Sequence, residues 1–375
     1  MARPRLDEAA QAALDRRFMA AAIRLSRRNA GRTSTNPSVG TIIVRDDGAG
    51  PMIVGTGVTA IGGRPHAETE ALAEAGELAR GATAYVTLEP CAHHGRTPPC
   101  ANALVNAGIA RVVGAASDPD PRVSGQGYAI LRAAGVEVVE KVLAAEAAEQ
   151  MAGYLTRSLK KRPEVTLKLA LSSDGKIGRK GAGQVAITGE IARRDVYLMR
   201  AESDAILIGI GTALEDDPAL TVRLPGLENR SPARIVLDRQ IRLPETSKLV
   251  SGVDRVPLYV AACLEADPHR RAALERAGVR FIGTETHDGV VALPELLEDL
   301  AALGMASVLV EGGAKVAKAF LDEGLVDRIV LFQGPEAIGE DGIASPIDAD
   351  RIPAGFRKLR DMRFGEDSYA EWIRS

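Results

Sequence analysis

The chain has 375 residues, 46% of them hydrophobic and 26% charged, with a formal net charge of −3. That is long for one hydrophobic core, so two globular domains are expected. The acidic balance and an aromatic content of 3% argue against DNA or RNA as partner, because such binders carry a basic surplus and stacking platforms.

In chain order, Leu14, Phe18, Ala22 and Leu25 share one face of a helix expected over 14–29, with arginines crowding its last turn, where the helix dipole favours them. Apolar runs at 41–44 and 52–58 flank Asp46-Asp47-Gly48-Ala49-Gly50, a hairpin signal. A helix over 67–79, a buried strand over 83–88, a helix over 98–107 and a strand over 111–116 follow. The turn-rich Ser117-Asp118-Pro119-Asp120-Pro121 leads to a helix over 126–134 and a strand over 136–139. Strands alternating with helices imply an α/β layer fold with a mainly parallel sheet.

An alanine- and glutamate-rich helix over 143–159 runs into Lys160-Lys161-Arg162-Pro163, where the domain boundary is expected, giving domains 1–160 and 161–375. The pattern then restarts. Strands are expected over 165–171, 205–210, 234–237, 258–261, 307–310 and 328–332. Helices are expected over 190–201, 268–277, 293–303 and 314–323, and a loop over 211–231. No internal repeat or low-complexity tract interrupts the chain.

The stretch with the clearest chemistry is 66–100. His66, Cys91 and Cys100 supply one imidazole and two thiols, good zinc ligands that leave a fourth position for water. Glu68, two residues after the histidine, is free to move protons. His66 and Cys100 fall at predicted helix starts, where the dipole helps hold Cys100 as a thiolate. A histidine cap with two small apolar cysteines is the bland alternative, and the combined pattern disfavours it. His93 and His94, on the loop between the thiols, are rival ligands that would close a purely structural site.

Residues 36–125 resemble the deaminase half of the bifunctional riboflavin-biosynthesis deaminase/reductase family. The matching runs are Asn36-Pro37-Ser38-Val39-Gly40, Pro65-His66-Ala67-Glu68, Tyr85 to Cys100, and Asp118-Pro119 through Gly125. Eight residues separate the thiols, where the wider pyrimidine deaminases have two. The resemblance implies a cytidine-deaminase-like three-layer α/β/α domain with zinc on His66, Cys91 and Cys100, and Glu68 as proton shuttle. It further implies substrate contacts from Asn36, His93 and Arg96. One departure is Thr59, which stands where the family usually carries a histidine.

In the second half, Gly209-Ile210-Gly211-Thr212 lacks the third glycine of a dinucleotide fingerprint, since position 214 is leucine. Glu311-Gly312-Gly313 separates a predicted strand from a helix, a place where backbone N–H groups can approach a phosphate. Together with Lys168 to Gly175, Ile187-Thr188, Arg200, Asp216-Asp217-Pro218 and Leu220 to Arg223, these runs resemble the reductase half of the same family. The resemblance implies a dihydrofolate-reductase-like α/β domain. Lys168, Arg200, Asp216, Arg223 and Glu311 would line the ribose-phosphate substrate, and Ala170, Thr212, Gly312 and Gly313 would lie against NADPH. Two arginines offer planar forks of donors suited to a phosphomonoester. Ala186 replaces a tryptophan frequent in the family.

Three cysteines cannot build a disulfide framework in a chain this long, and no run approaches 18 apolar residues. A cytoplasmic enzyme with no membrane or nucleic-acid partner is therefore expected. Its substrate would be a small phosphorylated pyrimidine, and the resemblance favours a homodimer or tetramer. The rival readings are a deaminase acting on nucleic acid through a C-terminal binding module, and a non-catalytic zinc protein.

Overall fold

The computed structural model describes residues 7–93, 98–120, 124–287 and 290–375. The chain divides into two compact units, Met1–Lys160 and Lys161–Ser375.

The first unit opens with α1 (Glu8–Ser26). It begins earlier than the apolar face alone predicts, because the Asp7 carboxylate accepts the Ala10 N–H at 2.7 Å and caps an extra turn. Then come β1 (Gly40–Arg45), β2 (Met52–Val58), α2 (Ala67–Ala75), β3 (Thr83–Leu88), α3 (Cys100–Asn106), β4 (Arg111–Ala116), α4 (Gln126–Ala133), β5 (Glu137–Val139), α5 (Ala144–Gln150) and α6 (Ala152–Lys160). The strands form one sheet in the order β2-β1-β3-β4-β5. β3, β4 and β5 are parallel, whereas β1 runs antiparallel to both its neighbours. The sheet is thus mixed, not mainly parallel, because the 46–50 turn folds β2 straight back on β1. The expected helix over 143–159 is two helices, broken at Met151, whose φ of −115° and ψ of 21° leave helical geometry.

Close approach of α2 to β2 fixes the zinc-type residues. A Cβ on Gly57 would lie 2.0 Å from the Ala67 carbonyl oxygen, and one on Gly55 would lie 2.2 Å from that of Ala71. Glycine at both positions lets the helix backbone rest on the strand. Ala67, Ala71 and Ala75 are small for the same reason and are buried in the unit's core with Ile43, Tyr85, Val86 and Val112.

The second unit runs β6 (Glu164–Leu171), β7 (Lys176–Arg179), α7 (Glu190–Glu202), β8 (Ala205–Gly209), α8 (Ile210–Asp216), β9 (Ala233–Leu237), α9 (Lys248–Ser251), β10 (Leu258–Cys263), α10 (Pro268–Arg276), β11 (Arg280–Thr284), β12 (Thr286–His287), β13 (Val290–Val291), α11 (Leu293–Ala302), β14 (Ser307–Val310), α12 (Ala314–Asp322), β15 (Arg328–Gln333), β16 (Gly342–Ala344), β17 (Phe356–Phe364) and β18 (Asp367–Arg374). Nine strands make one sheet, ordered β11-β10-β9-β8-β14-β6-β15-β18-β17. The seven from β11 to β15 are parallel, and β18 and β17 extend it antiparallel. Their carboxyl ends therefore share one edge, where open α/β sheets bind ligands. Part of the expected 211–231 loop is helical, since α8 starts at Ile210 directly from the end of β8.

Candidate active sites

His66 is the N-cap of α2, with extended backbone (φ −74°, ψ 158°), so its ring projects from the helix start. Cys91 follows the end of β3, and Cys100 is the first residue of α3. His66 Nδ1 lies 3.8 Å from Cys91 Sγ and 3.4 Å from Cys100 Sγ. All three donor atoms fall within 4.8 Å of one another. Tetrahedral zinc, with bonds of about 2.3 Å to sulfur and 2.05 Å to nitrogen, requires N···S separations of about 3.6 Å. The two observed distances bracket that value, so the residues fit zinc. His93 does not join this set, while His94 and Arg96 lie outside the described residues.

The Cys91 thiol is held down, to about 4, chiefly by a hydrogen bond from the Cys100 thiol, with help from His66 and the Cys100 N–H. The first N–H of α3 points at Cys91 Sγ, 3.3 Å away, so the helix start stabilises its neighbour's thiolate. Cys100, serving as the donor, is pushed up. Glu68 is 4% exposed. Burial, and then the adjacent Cys91 thiolate, raises its carboxyl to about 7, near the value suited to proton transfer at neutral pH.

Around this centre, Asn36 is half-buried and donates from Nδ2 to the Gly63 carbonyl at 3.0 Å, leaving its amide oxygen for another partner. His93 has a buried Nδ1 with no hydrogen-bond partner. Thr59 is 2% exposed, and its hydroxyl accepts the Val39 N–H at 3.0 Å. It is thus committed to the fold. Two carboxylates inside the family-matching runs were given no role by the sequence. Glu89 accepts the N–H groups of Gly125 and Gly127, at 3.0 and 3.1 Å, and ties the segment leading into Cys91 to the start of α4. Asp118 is 6% exposed and held by Tyr154. Asp118 opens the Asp118-Pro119 through Gly125 run that carries the family resemblance.

In the second unit a cavity of about 720 Å³ opens at the carboxyl edge of the sheet. It gathers Lys168, Ala170, Thr212, Asp216, Glu311, Gly312 and Gly313. The volume lies within the range of small-molecule and cofactor pockets. Gly312 and Gly313 lead from β14 into α12, and the Gly313 N–H donates to Thr212 Oγ1 at 3.1 Å. A Cβ on Gly312 would lie 2.7 Å from Val316. A roomy cavity over a Gly-Gly turn at a helix start fits a phosphate-bearing dinucleotide such as NADPH.

Lys168, Arg200 and Glu311 form a nearly buried triad, with side chains 11–13% exposed. Arg200 grips Glu311 through two bonds of 2.8 and 3.0 Å, and Lys168 Nζ lies 3.7 Å away. Burial pushes Glu311 up, but the two cations outweigh it and hold its carboxyl at about 2. The expected pair of open guanidinium forks is therefore not present. Arg200 spends its fork on Glu311, and Arg223 is exposed over the Tyr197 ring, 5.7 Å from its centroid. Neither arginine lines the cavity. Asp216 does, and burial beside Glu215 raises its carboxyl. Ala186 is exposed between Val185 and Ile187, both of which line the cavity.

Comparison with known proteins covers both units. Residues 12–116 match the family model described as the cytidine and deoxycytidylate deaminase zinc-binding region, and residues 163–368 match the RibD C-terminal domain. The riboflavin biosynthesis protein RibD of Aquifex aeolicus is 38% identical, covering 94% of this chain and 97% of its own. That of Escherichia coli is 40% identical over 87% and 89%. Among solved structures, Acinetobacter baumannii RibD superposes with a TM-score of 0.84 at 37% identity, covering 97% of this chain and 99% of its own. A diaminohydroxyphosphoribosylaminopyrimidine deaminase/5-amino-6-(5-phosphoribosylamino)uracil reductase of Thermotoga maritima gives 0.84 at 32% identity, covering 97% and 100%. A deaminase-type donor set and a reductase-type cavity in one chain, with relatives matched nearly end to end, place this chain in the RibD family of riboflavin-biosynthesis enzymes, which join a zinc-dependent deaminase to an NADPH-dependent reductase.

Proposed function

We propose that residues 1–160 deaminate 2,5-diamino-6-(5-phosphoribosylamino)pyrimidin-4-one, and that residues 161–375 then reduce its ribosyl group to ribityl. The observation that carries the first half is the gathering of His66 Nδ1 and the two sulfurs within 4.8 Å, beside a buried carboxylate. His66, Cys91 and Cys100 would hold zinc, which would supply the Lewis acidity that makes water a nucleophile at neutral pH. Glu68 takes the proton from the water that adds at C2 and delivers it to the departing ammonia. Asn36 and His93 orient the pyrimidine, each offering a polar atom not spent on the fold, and Arg96 meets the phosphate end.

In the reductase half, NADPH supplies the hydride for C1′. Gly312 and Gly313, with Thr212 and Ala170, cradle the cofactor. Lys168, Asp216 and Glu311 face the ribose. Arg200 acts from behind by fixing Glu311, and Arg223 offers its exposed guanidinium to the phosphate.

The partner is thus a small phosphorylated pyrimidine. Neither nucleic acid nor membrane is involved, in keeping with a net charge of −3 and with no helix, among the described residues, long and apolar enough to cross a bilayer. The enzyme is read as a cytoplasmic homo-oligomer, by likeness to its family.

Glu68→Gln tests the assignment at the zinc site. Bound zinc should stay at the wild-type level while ammonia release falls by about 10²–10⁴-fold. Normal deamination by that variant would remove Glu68 from the proton path.

A further inference from the structure

The cavity of the second unit is lined on one side by Leu237 and Arg242, at and just past the end of β9. Along the carboxyl edge of the sheet the strands run β9-β8-β14-β6. Lys168 and Ala170 stand on β6, the Gly312-Gly313 turn follows β14, and Arg242 follows β9. With the reacting end of the cofactor against Lys168 and its diphosphate on the Gly-Gly turn, the adenosine end extends toward β9. That strand lies two places from β14, about 10 Å along the edge, which a ribose with its substituents can bridge. The other basic residues of the cavity are placed elsewhere. Lys168 is paired with Glu311, and Arg179 donates to the Ile338 carbonyl. Lys180 follows β7, which packs on β6. Lys315 stands in the first turn of α12, beside the Gly-Gly turn.

The turn after β9 is built to present that guanidinium. Ile241 and Leu243, on either side of Arg242, are buried, while the Arg242 side chain is half exposed. Asp238 is fully buried. Its Oδ2 accepts the Leu243 N–H at 2.8 Å, and its Oδ1 lies 4.0 Å from Arg242 Nε. In dinucleotide-binding sheets a carboxylate beyond a strand end reads the free 2′-hydroxyl of the adenosine ribose, whereas an arginine nearby accommodates a 2′-phosphate. Here the carboxylate is committed to the turn, and the terminal nitrogens of Arg242 make no hydrogen bond among the described residues. We propose that Arg242 sets the choice of NADPH over NADH by taking the 2′-phosphate in its planar fork of donors. The proposal rests on the reading of the Gly312-Gly313 turn as the seat of the cofactor.

The test is calorimetric titration of full-length wild type, Arg242→Ala, Arg239→Ala and Gly313→Val with NADPH, NADH and 2′,5′-ADP, which carries the 2′-phosphate but no nicotinamide. Thermal unfolding without ligand checks the fold of each variant. Wild type should bind NADPH more tightly than NADH. Arg242→Ala should weaken NADPH and 2′,5′-ADP about 10–100-fold, the scale of hydrogen bonds to a charged group, and leave NADH unchanged. Arg239→Ala should bind all three as wild type does, since Arg239 shares the turn but does not line the cavity. An undiminished preference for NADPH in Arg242→Ala, or equal loss of NADPH and NADH, would overturn the proposal. So would loss of the preference in Arg239→Ala alone. If Gly313→Val weakens both NADPH and NADH while Arg242→Ala weakens neither, the proposal fails and the seat of the cofactor stands. If Gly313→Val weakens neither, the seat is wrong and the proposal falls with it.

Discussion

Charge placed inside the protein is tolerated where a specific partner answers it, and Glu311 is the clearest case. Its carboxyl sits at about 2 against the opposing push of burial, because Arg200 and Lys168 share it. A carboxylate lowered on folding contributes stability that is fully present above its unfolded value of about 4.3. That stability is lost as pH falls from there through the folded value of about 2. Glu311→Gln should remove this acid-side dependence. It should also destabilise the second unit by about 3–5 kcal/mol, since two buried cations lose their counter-charge. Urea unfolding of both forms across the acid range measures the two effects. Equal stability and equal slopes would show that the triad has no net role in holding the fold.

Among elements, the packing of α2 on β2 connects fold to chemistry. The helix carries His66 at its cap and Glu68 in its first turn, and it reaches the sheet only because Gly55 and Gly57 have no side chains. Gly57→Ala should force the two apart, lower stability by about 1–3 kcal/mol, and weaken zinc binding by moving His66 from the sulfurs. A zinc competition titration beside thermal unfolding measures this. Wild-type zinc affinity would mean the helix position is set elsewhere. Such elements were legible in the chain to different degrees. β2, β3, β4 and β14 end where their apolar runs end, because each is bounded by turn residues. β17 and β18 left no clear sign. β17 is an edge strand whose side chains are mostly exposed, so the alternation that marks a half-buried strand is missing. α8 was hidden too, since it starts without a polar cap straight from the last residue of β8.

For the whole molecule, the sequence motifs singled out three donor residues, His66, Cys91 and Cys100, that the fold gathers within 4.8 Å, because metal ligands must be particular residue types at short range. The reductase pocket was less legible. Its residues come from the ends of β6, β8 and β14, and only the sheet order brings those together. Sequence could pair Arg200 with Arg223 as phosphate forks, but it could not show that Glu311 occupies the first of them. Nor could it reveal Tyr154 behind Asp118, a contact spanning 36 positions. The central claim is that one chain performs two steps in a fixed order. Ammonia release and NADPH oxidation, followed together on the diaminopyrimidine phosphate with zinc-loaded protein, test it most directly. Ammonia should appear with or without NADPH, and NADPH should be consumed only after deamination has begun. NADPH oxidation ahead of ammonia release, or no ammonia at all, would contradict the account.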